Sequence, residues 1–196
     1  YNNLKEFAEN AFHELQTTIA IAKGKLELLS ETDLNHQQYE YVDKLEVSLS
    51  KLSRLNESLA LLTKIENHEF LKNERVDFSK LINESISEFH EFVLLNKLEL
   101  ITDIQDGITI DMHPALAEIL WTNLFRNAIL HNIENGQIRI ELTPTCLKIS
   151  NTGSKITVDP NSLFERFKKG NQNSKTIGLG LSIVKRITDK YGFTTH

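Results

Sequence analysis

A seam runs along the first third of the chain. Leu4, Phe7, Ala11, Leu15, Thr18, Ala22, Leu26 and Leu29 follow one another at steps of three and four, which places them along one stripe of an α-helix. The spacing predicts a long first helix. From Ser30 to Gln38 (SETDLNHQQ) the sequence turns polar. The same spacing then resumes through Val42, Leu45, Leu49, Leu52, Leu59 and Leu62, with Asn56 at a seam position. Two such helices across a short polar break predict an antiparallel hairpin. A hairpin alone cannot enclose a core, so the stripe predicts pairing with a second copy into a four-helix bundle, a homodimer. Periodicity by itself also fits an interdomain coiled coil with no chemistry of its own.

Around Asn67 to Asp77 (NHEFLKNERVD) the heptad stops and charge takes over, the expected linker. The chain is thus divided into a helical hairpin over 1–68 and a second domain over 69–196. In the second part Phe78 to Leu95 reads as one amphipathic helix. Leu98 to Ile104 and Ile108 to Asp111 read as short strands, and Pro114 to His131 as a helix with proline in its first turn. Gln137 to Thr143 and Leu147 to Thr152 alternate with β-branched residues and are joined through Pro144, an expected antiparallel hairpin. Gly153 to Lys175 is a long polar connection with one apolar piece, Leu163 to Phe167, before a last helix starting near Gly178. Connections that long inside a domain are usually functional.

Composition narrows the function classes. Of 196 residues 40% are hydrophobic and 25% charged, a globular rather than disordered balance. A net charge of −5 with a pI near 5.8 gives no general attraction for nucleic acid or an anionic membrane. The single cysteine, Cys146, excludes an intrachain disulfide and a cysteine-cluster zinc site, which fits a cytoplasmic location. No apolar stretch approaches the roughly 20 residues that cross a bilayer, so no direct membrane contact is expected of this segment. The chain begins at Tyr1 within a helical pattern, as expected of a fragment with a sensor or membrane segment upstream.

Four clusters carry chemistry. Phe12-His13-Glu14-Leu15-Gln16-Thr17-Thr18-Ile19 lies inside the first helix. At 100° per residue His13 is about 200° from Ala11, so it points away from the seam into solvent. An exposed imidazole ordinarily titrates near 6.5, which leaves a neutral ring nitrogen able to attack a γ-phosphoryl group near pH 7. Glu14 can orient the ring or take its proton. Thr17, one turn on, can position a water that removes the phosphoryl group later. In the helix after Pro114, Asn123 and Asn127 are four residues apart and share one face, where carboxamide oxygens can meet phosphates and Mg²⁺. Asn151-Thr152-Gly153 ends a strand in a glycine turn. Finally Leu163-Phe164-Glu165-Arg166-Phe167-Lys168-Lys169-Gly170 precedes Ile177-Gly178-Leu179-Gly180-Leu181, where glycines admit phosphates to the start of a helix. Each has a plain structural reading: a solvated surface histidine, ordinary helix-surface asparagines, a common turn, and tight glycine packing.

Their order and spacing resemble the cytoplasmic core of bacterial two-component sensor histidine kinases. His13, Glu14, Leu15 and Thr17 resemble the H-box His-Glu-Leu-Arg-Thr-Pro-Leu, with Gln16 for Arg and Thr18 for Pro. Asn123 to Ala128 resembles the N-box, Asn151 to Ile156 the G1 box, Leu163 to Gly170 the F-box, and Ile177 to Lys185 the G2 box. The resemblance implies a dimeric four-helix bundle followed by an α/β two-layer sandwich of the histidine kinase ATPase (Bergerat) type. It implies ATP with Mg²⁺, Asn127 as the metal ligand, and Asn123 as a phosphate-side support. It also implies His131, in place of a usual tyrosine, beside the adenine, and the loss of a phosphate contact at Leu130, which replaces a usual lysine. Asn151 takes the place of an adenine-binding Asp with Gly153 next to it, and Lys155 that of a second glycine. Phe164, Lys168, Gly178, Gly180 and Leu181 line the lid and phosphate cradle.

The implied activity is ATP-dependent autophosphorylation of His13, transfer to an aspartate in a response-regulator receiver domain, and phosphatase activity through Thr17. The implied setting is the cytoplasmic portion of a membrane-anchored receptor. The family usually ends on a further strand hairpin after a segment like Tyr191 to His196, so the second domain is expected to be cut short. The alternative is a scaffold or phosphatase with a degenerate ATP site, for which Asn151, Lys155 and Leu130 speak. A pure ATPase would turn over nucleotide without His13.

Overall fold

The seam folds into the helix it predicts. The computed structural model describes residues 2–153, 158–170 and 176–195, with side chains from residue 5 onward. Ser154, Lys155 and Ile156 of the glycine turn, residues 171–175 of the long connection and the Leu4 side chain lie outside the described residues. The chain divides into two units, residues 1–69 and 70–196.

The first unit is a hairpin of α1 (Asn2–Ser30) and α2 (His36–Glu66). Asn35 starts α2 with a capping box: its Oδ1 accepts from the Gln38 amide and its own amide donates to Gln38 Oε1, both at 2.9 Å. This satisfies two donors that the helix start would otherwise leave open. Ile19, Val42, Leu62 and Ile65 are buried between the helices together with Asn56. Other seam residues are not covered: Phe7, Leu15, Leu29, Leu45 and Leu52 are between 43% and 70% exposed. One partner helix hides only part of a stripe this wide. Lys5 joins the two ends of the hairpin through an ion pair to Glu69 at 3.1 Å.

In the second unit the expected strands and helices are present, with two corrections. The charged stretch read as linker contains a strand, β1 (Glu74–Asp77), which pairs antiparallel with β3 (Thr109–Met112). Only Val76 of β1 is turned away from solvent, so no alternation marks it in the sequence. The helix expected over Phe78 to Leu95 is two, α3 (Phe78–Glu88) and α4 (His90–Leu95). The break falls at Phe89, whose ring packs edge-on against Phe125 at 5.7 Å. β2 (Glu99–Ile104) lies parallel to β4 (Gln137–Thr143), and β4 antiparallel to β5 (Cys146–Asn151).

Burial along β4 alternates, with Ile138, Ile140 and Leu142 turned inward, as a sheet covered on one face requires. α5 (Pro114–Leu130) and α6 (Gly180–Tyr191) pack against each other in the helical layer. Leu116, Trp121 and Phe125 from α5 and Val184 and Ile187 from α6 are almost fully buried. Trp121 and Phe125 stack at 5.0 Å, which adds to their burial.

Tyr191, in the last turn of α6, is a tie point. Its hydroxyl accepts from the His113 amide just ahead of α5 and donates to Asn73 Oδ1 just ahead of β1, both at 3.0 Å. Tyr191→Phe keeps the ring and removes both bonds. The variant is expected to unfold about 1–2 kcal/mol more easily in urea, the loss of one to two net hydrogen bonds. Unchanged stability would show that the tie contributes nothing.

Candidate functional site

In the hairpin, His13, Glu14 and Thr17 are all solvent-exposed on α1. His13 and Thr17 lie one turn apart on one face. The Thr17 hydroxyl donates to the His13 carbonyl at 3.0 Å, so its proton is engaged while its lone pairs remain open to a water. Thr18 bonds the Glu14 carbonyl in the same way at 2.9 Å. From α2, Asn56 Nδ2 donates to the Phe12 carbonyl, also at 2.9 Å. The seam asparagine therefore touches the backbone immediately before His13.

In the second unit the asparagines of α5 and the glycines of α6 come together. Asn123 Nδ2 donates back to the Ile119 carbonyl at 2.8 Å, which fixes the carboxamide and leaves Oδ1 facing α6. A Cβ added at Gly180 would stand 3.1 Å from that oxygen, so the missing side chain is what lets α6 start beside it. Asn127, one turn on, has no side-chain hydrogen-bond partner among the described residues. Leu179 caps α6 without a side-chain bond, so the first-turn amides carry free N–H groups and the positive end of the helix dipole. Leu181 is half-buried in that turn. The arrangement offers donors for anionic oxygens and carboxamide oxygens for a hard cation.

The segment expected as a lid is held to the same place. Gly178 has φ +82°, and its carbonyl accepts from the Phe167 amide at 2.8 Å. A Cβ at Gly178 would meet the Lys168 carbonyl oxygen at 2.6 Å, so only glycine fits this approach. Phe167 itself is left-handed at φ +65°, a strained conformation for a bulky residue. Phe164 ends a short 3-10 helix over Pro160–Phe164 and is half-buried. Lys168 is exposed and turned toward Glu165 at 3.6 Å rather than toward α6.

His131, Asn151 and Gly153 meet at the C-terminal end of α5, one turn beyond Asn127. Asn151 Nδ2 donates to the His131 carbonyl at 3.3 Å and the Thr152 carbonyl at 3.0 Å. That orientation presents Oδ1 outward as an acceptor. A Cβ at Gly153 would lie 2.7 Å from the His131 carbonyl oxygen. Asn132 and Gly136, which pattern reading did not single out, hold this corner together with Thr152. Thr152 Oγ1 contacts Asn132 Oδ1 at 2.6 Å and accepts from the Gln137 amide at 2.7 Å, while Asn132 Nδ2 reaches the Gln137 carbonyl at 3.2 Å. Buried Gly136 lies so close that its Cβ would be 2.0 Å from Asn132 Oδ1. The Asn135-Gly136 pair was the one available signal, since it marks a tight turn. A cleft of about 260 Å³ opens nearby between Leu95–Leu98 on one side and Ile129, Asn132, Ile133 and Glu134 on the other, lined by none of the expected nucleotide residues.

Among the described residues no cluster of three or more His, Cys, Asp or Glu side chains could hold a metal ion. Among them, too, no helix is long and apolar enough to cross a membrane.

A helical hairpin with an exposed histidine, followed by an α/β unit with an asparagine-lined helix start, defines the class, and the comparisons agree. Residues 3–68 match the His Kinase A (phospho-acceptor) domain, and residues 112–196 match the histidine kinase-, DNA gyrase B- and HSP90-like ATPase. The swarming motility regulation sensor protein RssA of Serratia marcescens is 27% identical over 96% of this chain and 42% of its own length. The heme sensor protein HssS of Staphylococcus aureus is 29% identical over 94% and 42%. The crystal structure of full-length ShkA in complex with AMPPNP shares the fold, with a TM-score of 0.72 at 22% identity over 95% of this chain and 41% of that one. The chain belongs to the sensor histidine kinases. It spans about two fifths of the length of the curated relatives, 42% in both.

Burial holds the His131 imidazole below its ordinary pKa, because desolvation disfavours the charged ring. The unfolded chain then binds the proton more readily than the folded one. Stability is full above the unfolded pKa and falls as pH drops from there through the lower folded value. The second unit is expected to unfold more easily at pH 5.5 than at pH 7.5, and His131→Gln should remove part of that difference. Identical pH profiles for parent and variant in denaturant titrations would overturn this assignment.

Proposed function

We propose that this chain is the catalytic core of a two-component sensor, in which ATP held by the second unit phosphorylates His13. The observation that carries the reading is the pairing of Asn123 Oδ1 with Gly180 at the uncapped start of α6. It supplies what a triphosphate needs: free amides, a close backbone and a helix dipole. Asn151 Oδ1 is the acceptor for the adenine amino group, with His131 and Gly153 shaping the same corner, and Phe164, Gly178 and Leu181 flanking the phosphate side. A hard oxygen donor without a protein partner suits Mg²⁺, and Asn127 is the residue that would hold it. The ion neutralises charge on the transferred group when bound.

The neutral His13 ring nitrogen attacks the γ-phosphorus in line. An N–P bond forms as the P–O bond to ADP breaks, and the ring proton passes to solvent or to Glu14. Positioning supplies most of the rate in such a transfer. A receiver-domain aspartate oxygen then takes the phosphoryl group and regenerates the imidazole. Thr17, with its lone pairs free, orients the water that hydrolyses the phosphorylated regulator. The uncovered Phe7, Leu15, Leu29, Leu45 and Leu52 side chains are buried by a second copy in a homodimeric bundle. The setting is the cytoplasmic side of a membrane-anchored bacterial receptor, as the sensor proteins among the relatives suggest. The net charge of −5 speaks against a nucleic-acid partner.

Incubation with γ-labelled ATP and Mg²⁺ tests the reading. Acid-labile, base-stable label is expected on the parent and none on His13→Ala; label that survives the substitution would displace His13 as the acceptor. Asn151→Ala is expected to weaken binding of a non-hydrolysable ATP analogue by about 5- to 30-fold, the loss of one hydrogen bond. Unaltered affinity by calorimetry would move the adenine contact elsewhere.

A further inference from the structure

Asn56 is the one buried polar residue of the hairpin among the described residues, and nothing in the ATP chemistry calls for it. Its neighbours in the seam are aliphatic. A leucine at such a position would pack better, and a buried seam asparagine ordinarily lowers stability in exchange for fixing register. The place it fixes is informative.

The Phe12 carbonyl, to which Asn56 Nδ2 donates at 2.9 Å, belongs to the peptide unit that enters the His13 α-carbon. The His13 carbonyl, to which the Thr17 hydroxyl donates at 3.0 Å, belongs to the peptide unit that leaves it. Both peptide planes flanking His13 thus carry a side-chain donor in addition to their helical partner. One donor comes from the facing helix and the other from the next turn. The following carbonyl, of Glu14, is loaded by Thr18 at 2.9 Å. Side-chain bonds of this kind draw carbonyls off the helix axis and bend or loosen the helix locally. Without a clamp from α2, a loosened turn would leave the direction of the His13 side chain undetermined.

We infer that Asn56 is a positioning residue for phosphoryl transfer: together with Thr17 it clamps the two peptide planes that flank His13 and sets the angle at which the imidazole leaves the helix. The inference rests on His13 being the phosphoacceptor. Magnitude supports it. An imidazole nitrogen stands several ångströms from the helix axis, so about ten degrees of helix rotation moves it by about 1 Å. A displacement of that size can reduce an in-line transfer by about 100-fold.

The test is Asn56→Leu, which keeps the branched shape, removes the donor and leaves every ATP-contacting residue untouched. Autophosphorylation kcat is expected to fall about 10- to 100-fold with KM for ATP within about twofold of the parent. Thermal stability should stay equal or rise, and the His13 χ1 couplings measured by NMR should change from one rotamer to an average. A residue that only stabilised the bundle would give the opposite, a lower melting temperature with activity recovered on cooling. Parent-like kcat in the variant, or a His13 rotamer that stays single, overturns the inference. Because the rotamer measurement needs no phosphorylation, the two readings separate. A parent that takes no label refutes the phosphoacceptor reading, and averaging in Asn56→Leu still upholds the clamp.

Discussion

The second unit depends on the burial of one side of α5. Leu116, Ala117, Leu120, Trp121, Phe125, Ala128 and Ile129 are all buried, in a helix that packs on α3, β1, β5 and α6. Burying side chains of this size is worth roughly 1.5–3 kcal/mol each before the entropy of ordering is subtracted. That anchoring leaves α5 with almost no rotational freedom. Asn123 and Asn127 continue the stripe of buried Leu116 and Leu120 at steps of three and four, so their direction is fixed together with the face that α5 buries. In the same core Phe89, at the end of α3, meets Phe125 edge-on.

Both ends of α5 are then tied by polar bonds that hydrophobic burial alone would not specify. At its start the His113 amide is held by the Tyr191 hydroxyl. At its end Asn132, Gln137 and Thr152 join helix, β4 and β5. The hairpin is built differently. Its helices share a thin interface and leave large apolar side chains in solvent, so burying them against another surface would stabilise it in a way the second unit does not require. One family architecture thus joins a unit whose candidate site is fixed by its own core to a unit whose candidate histidine stands on an exposed helix surface.

How much of this the sequence discloses depends on whether the signal is local. The seam spacing locates α1 and α2, the alternation through Ile138, Ile140 and Leu142 locates β4, and Pro114 marks the start of α5. The four-residue spacing of Asn123 and Asn127 is enough to put both on one face. What escapes is set by residues distant in the chain. β1 is four mostly exposed residues whose strand character comes from β3, over 30 positions later. The break falls at Phe89, which continues the apolar pattern and packs on Phe125 far along the chain. The Asn151 side chain is oriented by the His131 carbonyl 20 residues away, a bond no periodicity announces. Asn56 is the intermediate case: its place in the seam is legible, its acceptor is not.

The stretch that resembles the H-box departs from that pattern at Thr18, where proline is usual, and the consequences can be followed from bond to bond. Proline would remove an amide and leave the Glu14 carbonyl without its helical donor. Threonine keeps that amide and adds a hydroxyl to the same carbonyl at 2.9 Å. The local perturbation is therefore reversed in sign: an acceptor that the family leaves underloaded is overloaded here. Thr17 repeats the pattern on the His13 carbonyl. Two adjacent overloaded carbonyls weaken the helical ladder without breaking it, so α1 runs continuously from Asn2 to Ser30. A continuous helix passes axial rotation along its length better than a kinked one. Rotation of α1 against the Asn56 contact would accordingly carry His13 with it, with no hinge between the two.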